Sequence, residues 1–209
     1  MMSLEDIKTY LPKYLTPESE ESLFEELKQF PLNIDSRIYT THLIDANIIY
    51  QGDGIDGLLV INLPDTTIRK APSVVISNTC DINPANKGLY DANLCYCPIL
   101  NLNKYREKLL AGHIEESVVD NHIGAIKQQR VTQIFYLPKG GLLKEDSFAC
   151  LDKIISCINN IIPQDKLRDY RIFTLSNLGL YLFIFKLSIH LTRVTEKVDR
   201  NNLSFLPPN

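Results

Sequence analysis

The chain has 209 residues, 44% of them hydrophobic and 22% charged. That balance supports one real core with additions and excludes disordered, collagen-like and disulfide-dense classes. Its 22 basic and 25 acidic residues leave a formal charge of −3, which excludes a strong nonspecific nucleic-acid binder built on net positive charge.

The charge is uneven, because residues 1–35 hold eight acids against three bases. This part reads as an acidic helical appendage. Thr16, Pro17 and the glutamates after them give an N-cap, a first-turn proline and acids that complement the helix dipole, and Pro31 closes the helix. Leu23, Phe24 and Leu27 form one apolar stripe that has to dock on something. Residues 36–209 read as a single domain.

From about Ile48 to Leu137 short runs rich in Val, Ile and Tyr alternate with Gly, Pro, Asn and Asp, the texture of strands in a compact barrel or sandwich. The exception is 103–129, where charges recur every few residues and Gly112 and Gly124 are breaks; this stretch reads as a helical insertion. After Gly140 and Gly141, SFACLDKIISCI reads as a last strand, with a short helix as the alternative. Ser176 can cap a final helix to about Val194 that is apolar on more than one side, as burial in a core or a dimer interface requires.

Leu178 to Leu191, the most apolar segment, is interrupted by Lys186 and His190 and is shorter than the roughly 18 to 20 residues of a membrane span. No membrane association is expected. The odd count of five cysteines and an opening without a basic start followed by an apolar run point to a reducing cytoplasm.

The densest polar cluster is Ser77, Asn78, Thr79, Cys80 and Asp81, where an apolar strand ends. Such residues can line a cleft, and they equally cap turns through nearby backbone. Cys80 is a candidate nucleophile if His42, His113 or His122 folds beside it as base. Cys95 and Cys97 share a strand face, but the paired knuckle of a zinc site is missing; they read as core residues, as do Cys150 and Cys157. Gly52, Asp53, Gly54 and Gly57 match no phosphate-cradling pattern and read as a turn or bulge. Arg69 and Lys70 read as a basic loop able to hold phosphate or steady developing negative charge. No metal and no cofactor is expected.

The order of these features resembles the PemK and MazF toxin family. It comprises a Gly52–Asp53 turn, the strand Leu58 to Leu63, the basic loop Arg69–Lys70 ending at Pro72, and the strand Val74 to Ser77. An Asn-rich loop and a strand ending in Cys97, Pro98 and Ile99 follow. The resemblance covers about residues 50–100, and more loosely SFACLDKIISCI and the final helix. It implies a small open barrel of the SH3 type with a helix at its end, hence an α+β chain, and metal-independent RNA cleavage in a toxin–antitoxin or phage-defence setting. The family's arginine before the proline is Ala71 here, and its Thr or Ser after the next proline is replaced by Ile99, Leu100 and Asn101, so the barrel carries over better than the nuclease. If RNA is cut, Arg69 or Lys70 stabilises the phosphorane-like transition state and Asp81 is the candidate base for the 2′-hydroxyl; Cys80 as nucleophile belongs to a separate alternative, a cysteine- or metal-dependent hydrolase. Lys70, Ser77, Asn78 and Thr79 would contact substrate. The expected partners are RNA, a protein or a second copy of the chain, and the alternative to a nuclease is a noncatalytic interaction module.

Overall fold

The structure is a computed structural model that describes residues 16–32, 34–83, 85–86 and 92–192. The first 15 residues of the acidic appendage, and the end of the expected final helix at Val194, lie outside the described residues.

The first described element is helix α1, Pro17–Lys28, capped by the Thr16 hydroxyl, which accepts from the Ser19 amide. A short strand β1, Tyr39–Thr40, precedes the long pair β2, Gly54–Asn62, and β3, Asp65–Val75. One turn of helix, α2 (Thr79–Ile82), leads to β4, Asn93–Asn101. The expected insertion is a helical hairpin, α3 (Leu102–Ala111) and α4 (Glu116–Lys127). Asn101 caps α3 by accepting from the Lys104 amide, and Arg106 of α3 bridges to Glu116 and Asp120 of α4. Strands β5 (Ile134–Leu137), β6 (Ser147–Cys150) and β7 (Ile155–Ile158) follow. The turn α5 (Leu167–Tyr170), strand β8 (Arg171–Leu175) and helix α6 (Asn177–Thr192) complete the described chain.

The strands form one eight-stranded antiparallel sheet in the order β1-β8-β2-β3-β4-β6-β5, with β7 also on β4. SFACLDKIISCI is therefore two strands rather than one, and neither is the last. β7 pairs with Asn93–Tyr96 and β6 with Ile99–Asn101 of β4. Pro98, which has no N–H to give, sits at the changeover between these partners. The two ends of the sheet approach each other: the Tyr39 hydroxyl donates to the Pro138 carbonyl at 2.7 Å, and the Leu142 amide to the Ile172 carbonyl at 2.8 Å. The sheet is thus an open, barrel-like α+β arrangement.

Alternation along the strands sends side chains to two cores. Val74, Cys97, Ile99, Phe135 and Phe173 point to the main core, which α6 enters with Leu178, Leu182, Phe183 and Leu187. Leu23 of α1 belongs to this core and is 2% exposed, with Leu27 packed against it, so the acidic helix is docked by this side while Glu18, Glu21 and Glu25 are exposed. On the other side Val75, Leu94 and Tyr96 pack with Ile55, Leu58 and Ile82. A third cluster, with Leu102, Ile126, Tyr136 and Phe148, holds the α3–α4 hairpin on β5 and β6.

Ser176 caps α6 by accepting from the Gly179 amide, and its hydroxyl donates to the Arg37 carbonyl. A Cβ at Gly179 would overlap the Ile38 carbonyl, whereas one at Gly124, in α4, would meet nothing within 4 Å. Gly179→Ala should therefore lower stability by about 1–3 kcal/mol, and Gly124→Ala raise it by about 0.5–1 kcal/mol. Urea denaturation of the two variants checks both signs.

Lys186 of α6 is buried and donates to the Gln129 carbonyl. Burial pulls its amine from 10.5 down to about 8. The folded protein thus holds this proton less tightly than the unfolded chain, and the resulting destabilisation is complete below about pH 8 and fades as pH rises toward 10.5. The stability of the wild type minus that of Lys186→Met should rise across that window; a flat difference would refute the buried-cation assignment.

Candidate functional site

The polar cluster at the end of β3 is built by local backbone bonding. Asn78 is the N-cap of α2 and accepts from the Cys80 amide at 2.9 Å. Ser77 donates to the Asn93 carbonyl and accepts from the Cys95 amide at 2.7 Å. Thr79 accepts from the Gln51 amide at 3.0 Å, tying α2 to the turn before β2. The Cys80 carbonyl accepts from the Asn86 side chain, while Cys80 and Asp81 are themselves exposed. The oxygens of Ser77, Asn78 and Thr79 thus fix the turn, with the Asn78 side-chain N–H groups and the Thr79 O–H as remaining donors.

Arg69 and Lys70 are not in a loop. They lie within β3, opposite Val60 and Leu59 of β2, and as neighbours on a strand they project to opposite faces. Six residues of strand separate Arg69 from Val75, roughly 20 Å at 3.3 Å per residue, and the Ser77–Asp81 turn lies beyond. The structure brings Ser77, Asn78, Thr79, Cys80 and Asp81 together and leaves Arg69 and Lys70 toward the other end of the strand.

No histidine is hydrogen-bonded to Cys80. His122 of α4 shares a hydrogen bond with the Tyr105 hydroxyl at 3.2 Å, His113 occupies the α3–α4 turn, and His42 lines a cavity of about 570 Å³ between α1, β1 and the start of α6. None of that cavity's lining residues belongs to the candidate cluster. Cys97 and Cys150 are buried, and burial pushes both thiols up, Cys150 to about 11, so neither is a nucleophile at neutral pH. Among the described residues no group of three or more His, Cys, Asp or Glu is placed to hold a metal ion. No helix among them is long and apolar enough to cross a membrane.

The strongest polar constellation is one that the sequence does not suggest. Arg171 and Asp53 form an ion pair with both side chains fully buried, Nε to Oδ2 at 3.1 Å. The Arg171 Nη1 donates to the carbonyls of Leu43, Ile44 and Ala46, and Nη2 to that of Ile48. Asp53 also accepts from the Tyr50 amide at 2.9 Å. Burial pushes its carboxyl up to about 6 against the opposing pull of Arg171, so it remains ionised at neutral pH. In the sequence Asp53 reads as a turn residue, and nothing around Arg171 marks it for a role. The only available signal was an arginine opening an apolar strand.

A scan against known protein families gives no match, and no curated protein is significantly similar to this chain.

This assignment of roles predicts a sharp contrast between two aspartates. Asp53→Ala strands a buried guanidinium and should cost about 3–5 kcal/mol; Asp81→Ala, at an exposed position, should stay within about 0.5 kcal/mol. Thermal denaturation of the pair checks it, and equal losses would refute it.

Proposed function

We propose that this chain is a divergent PemK/MazF-like barrel protein of a bacterial or phage toxin–antitoxin or defence system, and that it acts by binding a protein partner rather than by cutting RNA. The observation behind this reading is the arm formed by the outer parts of β2 and β3. Past Ile55 on β2 and before Ser73 on β3, the two strands pair, among the described residues, only with each other. Residues 62–70 are all exposed, and they include Leu63 at 71% and Ile68 at 62%. The root of the arm is fixed: the Tyr96 hydroxyl donates to the Leu59 carbonyl, and Gly57 takes a positive φ of 76° beside the Tyr170 ring.

The arm's chemistry favours a protein over a nucleic acid. Arg69 and Lys70 are offset by Asp56 and Asp65, and the whole chain is acidic, so a phosphate backbone gains no net attraction. Exposed aliphatic side chains beside an arginine are instead the ingredients of a protein interface anchor. The partner this fits presents an apolar groove with carboxylates at its rim. The wide separation of Arg69 from Cys80 and Asp81 speaks against a shared catalytic centre.

A photo-crosslinking residue placed at Ile68, with Glu107 of α3 as control, tests the reading in the cells that make the protein. The expected result is a discrete protein adduct at position 68, absent at 107, that falls about tenfold when Arg69→Glu and Lys70→Glu are combined, as a loss of about 1.4 kcal/mol would give. An RNA adduct at position 68 would overturn it. So would chelator-resistant RNA cleavage by the purified protein that disappears in Arg69→Ala.

A further inference from the structure

Strand β4 gives Ile99–Asn101 to β6 and Asn93–Tyr96 to β7. The far edge of β6 is covered by β5, and that cover ends where the Leu151 amide donates to the Gln133 carbonyl. Past Leu151, β7 pairs, among the described residues, with β4 alone. Bonds made by β4 show which main-chain groups of β7 stay open. The Cys95 amide donates to the Ser77 hydroxyl and the Cys95 carbonyl accepts from the Ile76 amide, so both point away from β7. Cys95 lies opposite Ser156, and main-chain groups alternate in direction along an antiparallel strand. Ile155 and Cys157 therefore bond to β4, as the Asn159 amide does to the Ala92 carbonyl. Ser156 and Ile158 direct their main-chain groups outward, and Ile154 is next in the same alternation. Ile155 and Cys157 also pack on the second core, whereas Ser156, Ile154 at 42% and Ile158 at 53% are exposed.

An open strand edge is normally blunted by charge, proline or a bulge. The arm has all three: β3 carries Lys70 and Pro72, and the β2 register slips between Ile55 and Leu58, where Gly57 takes its positive φ. The β7 edge has none of them. No residue from Ile154 to Gln164 is charged, and the first proline after Ile154 is Pro163.

We propose that β7 pairs with β7 of a second copy of the chain, antiparallel about a two-fold axis at Ser156, so that two sheets join into one. The occupant is a second copy because the edge is its own complement, as an isologous contact requires. In this register each Ser156 amide meets the other Ser156 carbonyl, and each Ile158 amide meets an Ile154 carbonyl. The Ile158 carbonyl already accepts from the Asn160 amide and keeps a second lone pair for the Ile154 amide. On the exposed face each Ile154 lies beside an Ile158, an apolar cross-strand pair made twice. Lys153 falls opposite Asn159 and Asp152 opposite Asn160, so no like charges meet. Moving the axis to Cys157 sets Ile158 against Ser156 and Ile154 against Asn160, and both isoleucine pairs are lost. A strand from another protein needs no such palindrome. A strand this short buries less than the roughly 800 Å² per partner of a standard interface, which places half-association between about 1 μM and 1 mM.

Sedimentation equilibrium of the full chain, carried to about 1 mM, tests the pairing. The wild type should pass from monomer to dimer, and Ser156→Pro and Ile158→Lys should each raise the dissociation constant at least about tenfold. Because the Ser156 amide faces outward, the proline removes no ladder bond within the molecule, and an unchanged melting temperature reports that the fold is intact. If Ser156→Pro does not fold, Ile158→Lys decides. Oxidation of Ser156→Cys, in a Cys80→Ser background and against that parent, reads the register. The axis sets the two Cα atoms about 5.5 Å apart, within disulfide reach, so a cross-linked dimer should form, and Asp152→Cys should give none. Arg69→Glu combined with Lys70→Glu should leave the dimer unchanged, which separates this contact from the arm. A chain that stays monomeric to about 1 mM overturns the proposal. So does a dimer that survives Ile158→Lys, falls apart in the arm variant, or cross-links at position 152 instead of 156, because its interface is then another surface or another register.

Discussion

Arg171 enters the interior at the first residue of β8, and a guanidinium has five donors and no acceptor, so the surrounding chain has to bring oxygen to it. It does so from two directions. Residues 43–48 coil so that four backbone carbonyls converge on the outer nitrogens, and Asp53 supplies the carboxylate. Because Asp53 also accepts from the Tyr50 amide, the same carboxylate closes the turn that starts β2. Ile55 then pairs with Arg171 across the sheet, so the ion pair and the β2–β8 register fix each other. A long connection with little secondary structure of its own is held in place by one side chain.

The constraint extends to the polar cluster after β3. Gln51, in the Asp53 turn, gives its amide to Thr79 and its side-chain amide to the Ile76 carbonyl. Ser77 then locks the start of β4 through Cys95. Small polar residues at a strand end are ambiguous in a sequence because turn fixing and substrate binding use the same atoms. Here Ser77, Asn78 and Thr79 each have a backbone partner, so their oxygens hold the turn, while the Thr79 O–H and the Asn78 side-chain N–H groups keep donor capacity. Cys80 and Asp81 project from the same turn without such bonds from their side chains.

Local patterns were legible. Thr16 and Ser176 act as helix caps, the 103–129 insertion is a helical pair, and the apolar runs around Leu58, Val74 and Cys97 are neighbouring strands. What escaped depends on distance along the chain. The Asp53–Arg171 contact joins residues 118 positions apart, and a charged residue in a sequence reads as surface unless its partner is known. The division of SFACLDKIISCI into β6 and β7 depends on β4 offering one edge to two partners in succession, which no local pattern encodes. Arg69 and Lys70 read as loop because their stretch is polar, yet an arm exposed on both faces can have any composition that pairs across two strands.

The physical contrast between body and arm bears on where function resides. The body is covered on both sides of its sheet, and its buried polar atoms are largely committed to backbone partners, so rearranging it to admit a ligand would mean breaking several bonds at once. The arm has the opposite character. Its inter-strand hydrogen bonds are internal, its root is held by Tyr96 and Gly57, and its side chains interact chiefly with solvent. An incoming surface can therefore bury Leu63 and Ile68 without the loss of a single bond in the body. Binding at such an element costs little ordering, because the strands are already paired before the partner arrives. The arm is therefore the element to which a surface could be added at least cost to the rest of the structure, and this is the physical basis of the proposed recognition role.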